Sequence, residues 1–225
     1  MKFSNNIIPD KVLIKETFKQ FILVQDHPCV MAQSSMRSHS LEVQTVGDLN
    51  QSKTITEILA KLKSYIAEAK LNPGNFASLA ISFATPAPPD EITYEKVLWK
   101  LLQDIHEADP KPWDKSVSSD AESEHFSFSI FGEAFYVVGM HPHSSRDARR
   151  FPYPVVVFNL HSQFEKLRNM KVYKKTRDRI RQRDRVKNGS VNPMLQDFGS
   201  GSEARQYSGR EVDESWKCPF QVSKK

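Results

Sequence analysis

Residues 134–158 read AFYVVGMHPHSSRDARRFPYPVVVF, which is two apolar runs separated by a loop rich in His, Ser and Arg. Each run is typical of a buried strand. Gly139 can supply a backbone conformation that is closed to other residues, and Pro142 restricts His141 to an extended conformation. Loops held by a rigid scaffold often carry binding and catalytic groups. The stretch therefore predicts two strands of one sheet and a stiff loop that presents His141.

Other strands are predicted on both sides of this stretch. His125–Phe131 alternates apolar and polar residues, as a half-buried strand does, and it leads through Gly132-Glu133 into Ala134–Met140. The pair predicts a hairpin. Pro154–Leu160 is an apolar run and is expected to be a central strand, and Phe76–Phe83 is a further strand. His27–Ala32 is interpreted as a short buried strand, and residues 34–52 as an irregular surface segment.

Helical spacing of apolar residues marks five segments. The first three are Asp10–Val24 and Asp90–Ala108, each with an aspartate as N-cap, and Thr54–Leu71, with Thr54 and Glu57 as a capping box. The other two are His161–Met170 and Tyr173–Val186. Residues 188–225 are interpreted as an extended arm packed on the body. We therefore expect one domain over residues 1–225, of the α+β class, with a mostly antiparallel sheet covered on one side by helices.

Composition limits the classes of protein that the chain can be. Its 225 residues are 39% hydrophobic and 26% charged, which favours a globular domain over a disordered chain. Apolar runs are too short to span a membrane, and residues 1–6 do not resemble a signal peptide. The two cysteines, Cys29 and Cys218, are too few for a disulfide scaffold and lack the spacing of a metal site. A cytoplasmic protein with reduced thiols is expected.

The net charge of +5 is concentrated in residues 171–187, which hold nine Lys or Arg and two Asp. Such a run can bind nucleic acid, but it is more often the solvated face of a helix. Tyr173 is the one aromatic residue in it, so the run offers no platform on which bases could stack. Nucleic acid is therefore a less favoured partner.

Several residues carry groups that can bind or react. His141 and His161 flank strands of the predicted sheet, so they can hold a metal together, or one can ligate haem iron; the alternative is structural hydrogen bonding. Ser144-Ser145-Arg146 can bind a carboxylate or phosphate, or can form a turn with a salt bridge. The sequence lacks a Gly-x-Ser-x-Gly elbow, which argues against acyl transfer. Cys218 can offer a thiolate to iron, or can be a structural thiol.

The order of motifs in the second half of the chain resembles the YqcI/YcgG family. The resemblance runs from about His27 to Phe220 and also includes Pro28-Cys29 and Asp109-x-x-Pro112-Trp113. The motifs that carry it are His141-Pro142-x-x-Ser145-Arg146-x-Ala148-Arg149-Arg150-Phe151, Phe158-Asn159-x-His161-x-Gln163-Phe164-Glu165-x-Leu167-Arg168, Ile180-Arg181-x-Arg183-Asp184, Asn192-Pro193-Met194-Leu195, Glu203-Ala204-x-Gln206-Tyr207-Ser208-Gly209-Arg210 and Cys218-Pro219-Phe220.

The family includes haem-dependent N-oxygenases of natural-product biosynthesis, among them one that hydroxylates a guanidine nitrogen. The resemblance implies haem b, O2, an electron donor that no motif identifies, and a small amine or guanidine substrate. It implies His141 as the iron ligand, followed by His161 and Cys218. His161 and Glu165 are then expected to act in catalysis, with Glu165 as the carboxylate partner of the substrate guanidine or amine. Haem or substrate carboxylates are expected to bind Ser145, Arg146, Arg149 and Arg150. A haem-binding protein without turnover, a nucleic-acid-binding module and a structural or interaction protein are the alternatives.

Overall fold

The computed structural model describes residues 10–48, 51–83 and 85–223. In that part of the chain the strands are β1 (Leu41–Val46), β2 (Ser78–Phe83), β3 (Phe128–Ile130), β4 (Glu133–Met140) and β5 (Val155–Leu160). They form one sheet in the order β1-β2-β5-β4-β3. β1 pairs with β2 in parallel, and the other pairs are antiparallel. The predicted α+β class, the mostly antiparallel sheet and the central position of β5 are confirmed.

The same residues form seven α-helices: α1 (Lys11–Leu23), α2 (Val30–Arg37), α3 (Ser52–Leu71), α4 (Glu91–Ala108), α5 (His161–Asn169), α6 (Tyr173–Asn188) and α7 (Ala204–Tyr207). The predicted N-caps of α1 and α4 are confirmed. Asp10 accepts a hydrogen bond from the backbone N–H of Val12 at 3.0 Å, and Asp90 accepts one from that of Thr93 at 2.7 Å. Within the described ranges, none of these helices is both long and apolar enough to cross a bilayer. The expectation about residues 1–6 lies outside the described residues.

Helices cover both faces of the sheet, and the prediction that they cover one side was wrong. Alternate residues of each strand point to opposite faces. In β4, Phe135 and Val137 pack with α3 and α4 in the larger core, whereas Val138 and Met140 pack with α1 in the smaller one. The strands β2 and β5 are therefore buried on both faces, which is why β5 has no polar face until Asn159.

Two predictions for residues 27–52 were wrong. The apolar run after His27 is not a strand: it enters α2, where the Cys29 sulfur accepts the backbone N–H of Ala32 at 3.4 Å and caps the helix. Residues 34–52 are not irregular, because they contain β1. Short apolar runs do not distinguish a strand from a buried helical turn, and β1 gains its regularity from pairing with β2.

Three local details also differ from the predictions. Thr54 does not form a capping box, because α3 begins two residues before it. The Thr54 hydroxyl instead donates to the carbonyl of Asp48 at 2.6 Å. The segment predicted as a half-buried strand is buried on both faces around β3, since Ser127 and Ser129 are buried. Gly139 lies inside β4, where a Cβ atom would come within 2.8 Å of the Tyr94 ring. Close approach of Tyr94, rather than an unusual backbone conformation, requires glycine there.

The C-terminal arm contributes to the core of the protein. Tyr207, Val212 and Phe220 are buried. Phe220 joins the larger core beside Trp99, with ring centroids 6.3 Å apart. The arm therefore completes the core and brings α7 against β4.

Candidate functional site

A cavity of about 290 Å³ lies on the α1 side of the sheet. It is enclosed by β4 and β5, by α1, α2, α5 and α6, and by α7 with the chain segment that precedes it. Most of its wall is apolar or aromatic: Phe18, Ile22, Met31, Phe76, Tyr136, Val138, Met140, Val157, Phe164, Leu167, Ile180, Leu195 and Phe198. Its volume is close to the lower end of the ~300–1,000 Å³ range of small-molecule sites. The cavity is therefore the candidate binding site.

The alternation of β4 decides which groups face this cavity. Tyr136, Val138 and Met140 border it. His141 continues the opposite set of side chains and lies among the residues of α4, fully buried, with its ring stacked on Tyr94. Burial lowers the pKa of His141 to about 4, so the imidazole is neutral near pH 7. Neither ring nitrogen has a hydrogen-bond partner among the described residues.

Ser145 and Arg150 lie away from the cavity. The backbone N–H and the hydroxyl of Ser145 both donate to Glu91, at 2.7 and 2.8 Å. Arg150 donates to the carbonyl of Ser144 at 2.8 Å and pairs with Asp147 at 2.9 Å. Both residues thus hold the loop together, and their predicted binding role stays a prediction.

Arg146 and Arg149 do border the cavity, and both have partners within the protein. Arg146 forms a buried ion pair with Asp184 at 2.6 Å. The guanidinium of Arg149 donates to three carbonyl oxygens, those of Gly139, Gln206 and Tyr207, at 3.0, 3.3 and 3.4 Å. Arg149 therefore joins β4 to α7, and its stem contributes to the cavity wall.

His161 and Glu165, predicted as catalytic residues, lie together at the start of α5. His161 Nε2 is 3.3 Å from a carboxylate oxygen of Glu165, which is half-exposed and also pairs with Arg168. On its other side, His161 Nδ1 is 3.4 Å from the Ser127 hydroxyl and 4.0 Å from Glu203. Burial lowers the pKa of His161, and the nearby Glu165 opposes that effect. The imidazole therefore stands between a surface carboxylate and a buried one.

Glu203 was not predicted from the sequence, although it borders the cavity. It is 6% exposed and accepts hydrogen bonds from the hydroxyls of Ser127 and Tyr207 at 3.0 and 3.4 Å. Burial raises the pKa of Glu203 to about 7, because the carboxylate is removed from water. It lies in the motif Glu203-Ala204-x-Gln206-Tyr207, which was interpreted as part of an arm, so the available signal was overlooked.

Cys29 is the second cavity residue, after Glu203, that was not predicted as a functional residue from the sequence. It lies at the N-terminus of α2 and borders the cavity beside His27. Burial raises the pKa of the Cys29 thiol. Both nitrogens of His27 are engaged: Nε2 is 2.9 Å from the carbonyl of Ala148, and Nδ1 accepts the backbone N–H of Cys29 at 3.2 Å. The Pro28-Cys29 pair of the motif series was the signal for this position.

Cys218, the third predicted iron ligand, lies in another part of the molecule. It packs against the larger core, and its backbone N–H donates to Glu122 at 3.2 Å. Burial raises the pKa of the Cys218 thiol to about 12. The structure therefore separates His141, His161 and Cys218 from one another, and none of the three borders the cavity. In the described residues, no group of three or more His, Cys, Asp or Glu side chains is arranged to hold a metal ion.

The basic run forms α6, whose inner face borders the cavity. Arg177 and Arg181 both pair with Asp197, and Arg183 pairs with Asp26 at 2.5 Å. Arg168 of α5 lies over the Tyr173 ring at 4.6 Å. Several of the basic side chains are therefore neutralised locally, and the others, such as Lys174 and Arg179, lie on the exposed face of the helix.

Two proteins of Bacillus subtilis (strain 168) are similar to this chain. "Uncharacterized protein YcgG" is 27% identical over 207 residues, which cover 88% of this chain and 81% of that protein. "Uncharacterized protein YqcI" is 28% identical over 213 residues, with the same coverage of each. No solved structure matches the chain significantly. The profile of the YqcI/YcgG family matches residues 18–221. The chain belongs to the YqcI/YcgG family.

Proposed function

We propose that this protein is a haem-dependent oxygenase that hydroxylates a nitrogen of a small amine or guanidine, with the cavity as its site. The observation that carries the proposal is the cavity, which combines an apolar wall with a thiol, basic side chains and a buried carboxyl group. Small-molecule sites have this composition, since a few polar groups fix orientation within an apolar enclosure. The reaction class comes from the resemblance to the haem-dependent N-oxygenases.

The donor groups on the wall fit haem through Cys29. The thiol borders the cavity, and its position as helix cap, with a backbone N–H directed at sulfur, favours the thiolate. A coordinating thiol is deprotonated by the metal, which overcomes the effect of burial on its pKa. His27 fits less well, because both of its nitrogens are engaged. Arg168 and Arg181 border the same space and can pair with propionates.

The volume limits how haem would enter. A cavity of about 290 Å³ suits an amino-acid-sized molecule. Haem is larger, so its binding requires the wall formed by α6 and the segment after it to move outward. Polar contacts join that wall to the body, among them the hydrogen bond from Arg183 to the carbonyl of Pro28 at 3.2 Å.

Haem, when bound, would supply the activation of O2. The chain's own residues would exclude water, position the substrate and exchange protons with solvent. For the last task, Glu165, His161 and Ser127 form a series of polar groups from the surface to Glu203, with separations of 3.3, 3.4 and 3.0 Å. This arrangement supports the predicted catalytic role of His161 and Glu165. We also propose a cytoplasmic location, where a reductant can deliver electrons and the free thiols stay reduced.

Turnover with O2 is the test of this function. The protein is loaded with haem and mixed with oxygenated buffer, a panel of guanidines and primary amines, and an excess of ascorbate with a redox mediator, which supplies the two electrons that each turnover requires. We expect O2 consumption that depends on one class of substrate, and a product heavier by one oxygen atom. Haem binding without substrate-dependent O2 consumption would favour the alternative, a haem-binding protein without turnover.

A further inference from the structure

Three carboxyl groups border the cavity, and they differ in their partners. Asp184 pairs with Arg146 at 2.6 Å. Asp197 pairs with two arginines of α6. Glu203 has two hydroxyl donors instead, and its nearest basic atom among the described residues is His161 Nδ1 at 4.0 Å. Glu203 is thus the carboxyl group of the cavity wall that has no guanidinium or ammonium partner in the part of the chain that the structure describes.

Such an arrangement is costly for a protein without a ligand. A carboxylate that is 6% exposed has lost most of its hydration, and buried charges are normally paired with an opposite charge. Hydroxyl donors compensate in part. Both of them contact Oε2 of Glu203, so Oε1 has only the imidazole of His161 nearby. Oε1 is therefore available for a strong donor that enters the cavity.

We propose that Glu203 binds the cationic nitrogen of the substrate, a guanidinium or a protonated amine, through Oε1. This inference rests on the proposed function for the substrate class. A guanidinium or ammonium N–H that donates to an ionised carboxylate oxygen forms a charge-assisted hydrogen bond, which is strong where water is excluded. The ligand would supply the ion-pair partner that no guanidinium or ammonium group of the described residues provides within 4.0 Å of this carboxylate.

Aromatic rings beside Glu203 suit the same ligand. Tyr136, Phe164 and Phe198 border the cavity, and the Tyr136 and Phe164 rings lie edge to face, with centroids 5.7 Å apart. Ring faces attract guanidinium and ammonium groups. The Phe198 ring also packs on His161, with centroids 4.5 Å apart. A flat cation next to Glu203 would therefore have aromatic surface around it.

Glu165 was predicted to recognise the substrate cation, and Glu203 is better placed to do so. The Glu165 side chain is 47% exposed and already pairs with Arg168 and His161. It opens onto a separate surface groove beside Asp114 and Glu133. Its carboxylate is hydrated and has partners, so it gains little from a ligand cation.

The proposal predicts a specific pH dependence of binding. The titratable and charged groups that face Glu203 are His161 and Arg168 of α5, Tyr136 of β4 and Tyr207 of α7. Burial lowers the pKa of His161 and raises those of the two tyrosines, so Glu203 is the group of this set that titrates near pH 7. Guanidinium affinity should rise by up to about tenfold per pH unit below 7 and level off above it.

Butylguanidine and butylurea are suitable probes, because they have nearly the same shape and differ in charge. Their affinities for the full chain without haem are measured by calorimetry at pH 6 and pH 8. We expect the wild type to prefer butylguanidine by at least about tenfold at pH 8. Glu203→Gln keeps an acceptor for both hydroxyls and should abolish the preference. The matched variant Glu165→Gln should keep it.

Equal affinities of the two probes for the wild type, or binding of neither, would overturn the proposal. Loss of the preference in Glu165→Gln with retention in Glu203→Gln would also overturn it. If Glu203→Gln does not fold, the wild type alone still tests the proposal. Its affinity for butylguanidine should rise between pH 6 and pH 8, whereas its affinity for butylurea should not change. Haem binding is scored separately by absorption. A chain that prefers butylguanidine but does not take up added haem would contradict only the haem proposal.

Discussion

The imidazole of His141 stacks on the phenol ring of Tyr94, with ring centroids 4.2 Å apart and planes inclined by 20°, on the face of the sheet opposite the cavity. The Tyr94 hydroxyl donates to the carbonyl of Val155 at 2.7 Å and accepts the backbone N–H of Met140 at 3.0 Å. Tyr94 thus joins α4 to two strands, and His141 packs against that junction. This position favours a structural role for the histidine that begins the loop.

Replacement of His141 should affect stability and spare haem binding. His141→Ala leaves a void beside Tyr94 and should lower the free energy of unfolding by about 2–4 kcal/mol. His141→Phe keeps the stacked ring and removes two buried nitrogens that lack partners among the described residues, so its loss should be below about 1 kcal/mol. Urea unfolding measures both. A stable His141→Phe protein that no longer binds haem would restore His141 as the ligand.

Stability should fall as the pH drops from 6.5 towards 4, because of His27 and His141. Burial lowers the pKa of each to about 4, so in this window the unfolded chain binds more protons than the native one. Each contribution is fully present above pH 6.5 and is on the order of 2 kcal/mol. Urea unfolding at several pH values between 4 and 7 tests this prediction. The free energy of unfolding should change less with pH in His141→Phe than in the wild type. An unchanged pH dependence in that variant would contradict the prediction.

Glu203 should act on stability in the opposite direction. Its pKa is about 7 in the native state and lies near 4.5 when exposed, so between these values the native chain binds more protons. Its contribution is present below pH 4.5 and is lost as the pH rises through 7. Glu203→Gln should therefore be more stable than the wild type at pH 8, by about 1–2 kcal/mol, and show no gain at pH 4. Greater stability of the wild type at pH 8 would contradict a buried carboxylate without a cationic partner.

Alanine variants of Arg149 and Arg168 should distinguish a structural arginine from one that binds haem. Arg149→Ala leaves three carbonyl oxygens without their donor and should cost about 2–4 kcal/mol of unfolding free energy. Arg168→Ala removes a part-exposed side chain from the cavity wall and should cost less than about 1 kcal/mol. Haem titration should then show weaker binding in Arg168→Ala. Normal stability of Arg149→Ala with weaker haem binding would instead assign the propionate contact to Arg149.

The parts of the fold that could be predicted are those in which local pattern and tertiary structure agree. The helices α3 and α4 have long apolar stripes, and the β3–β4 hairpin has alternation and a turn with positive φ at Phe131 and Gly132. β1 and α2 could not be placed. β1 depends on pairing with β2, and α2 buries Gln33 and Ser35, whose side chains bond to the backbone of His27 and Phe76.

For the site, the sequence indicated segments that lie near the cavity. It did not show which side chains of those segments point towards the cavity. The loop after β4 was taken as the centre, yet strand alternation already sets His141 opposite Tyr136 and Met140, which border the cavity. His161 and Glu165, each predicted to be a catalytic residue, lie 3.3 Å apart. Glu203 and Cys29 reach the cavity through the path of the C-terminal arm and the start of α2, and no periodicity in the sequence encodes either path.

Haem titration of the wild type and of Cys29→Ser, followed by absorption and by the spectrum after reduction under carbon monoxide, tests the proposed site most directly. We expect the wild type to bind one haem per chain and to give the red-shifted reduced-carbon-monoxide band of thiolate ligation. Cys29→Ser should lose that band, while His141→Phe should keep it. A wild-type spectrum that added haem leaves unchanged, or a thiolate band that survives in Cys29→Ser, would contradict haem binding through Cys29 in this cavity.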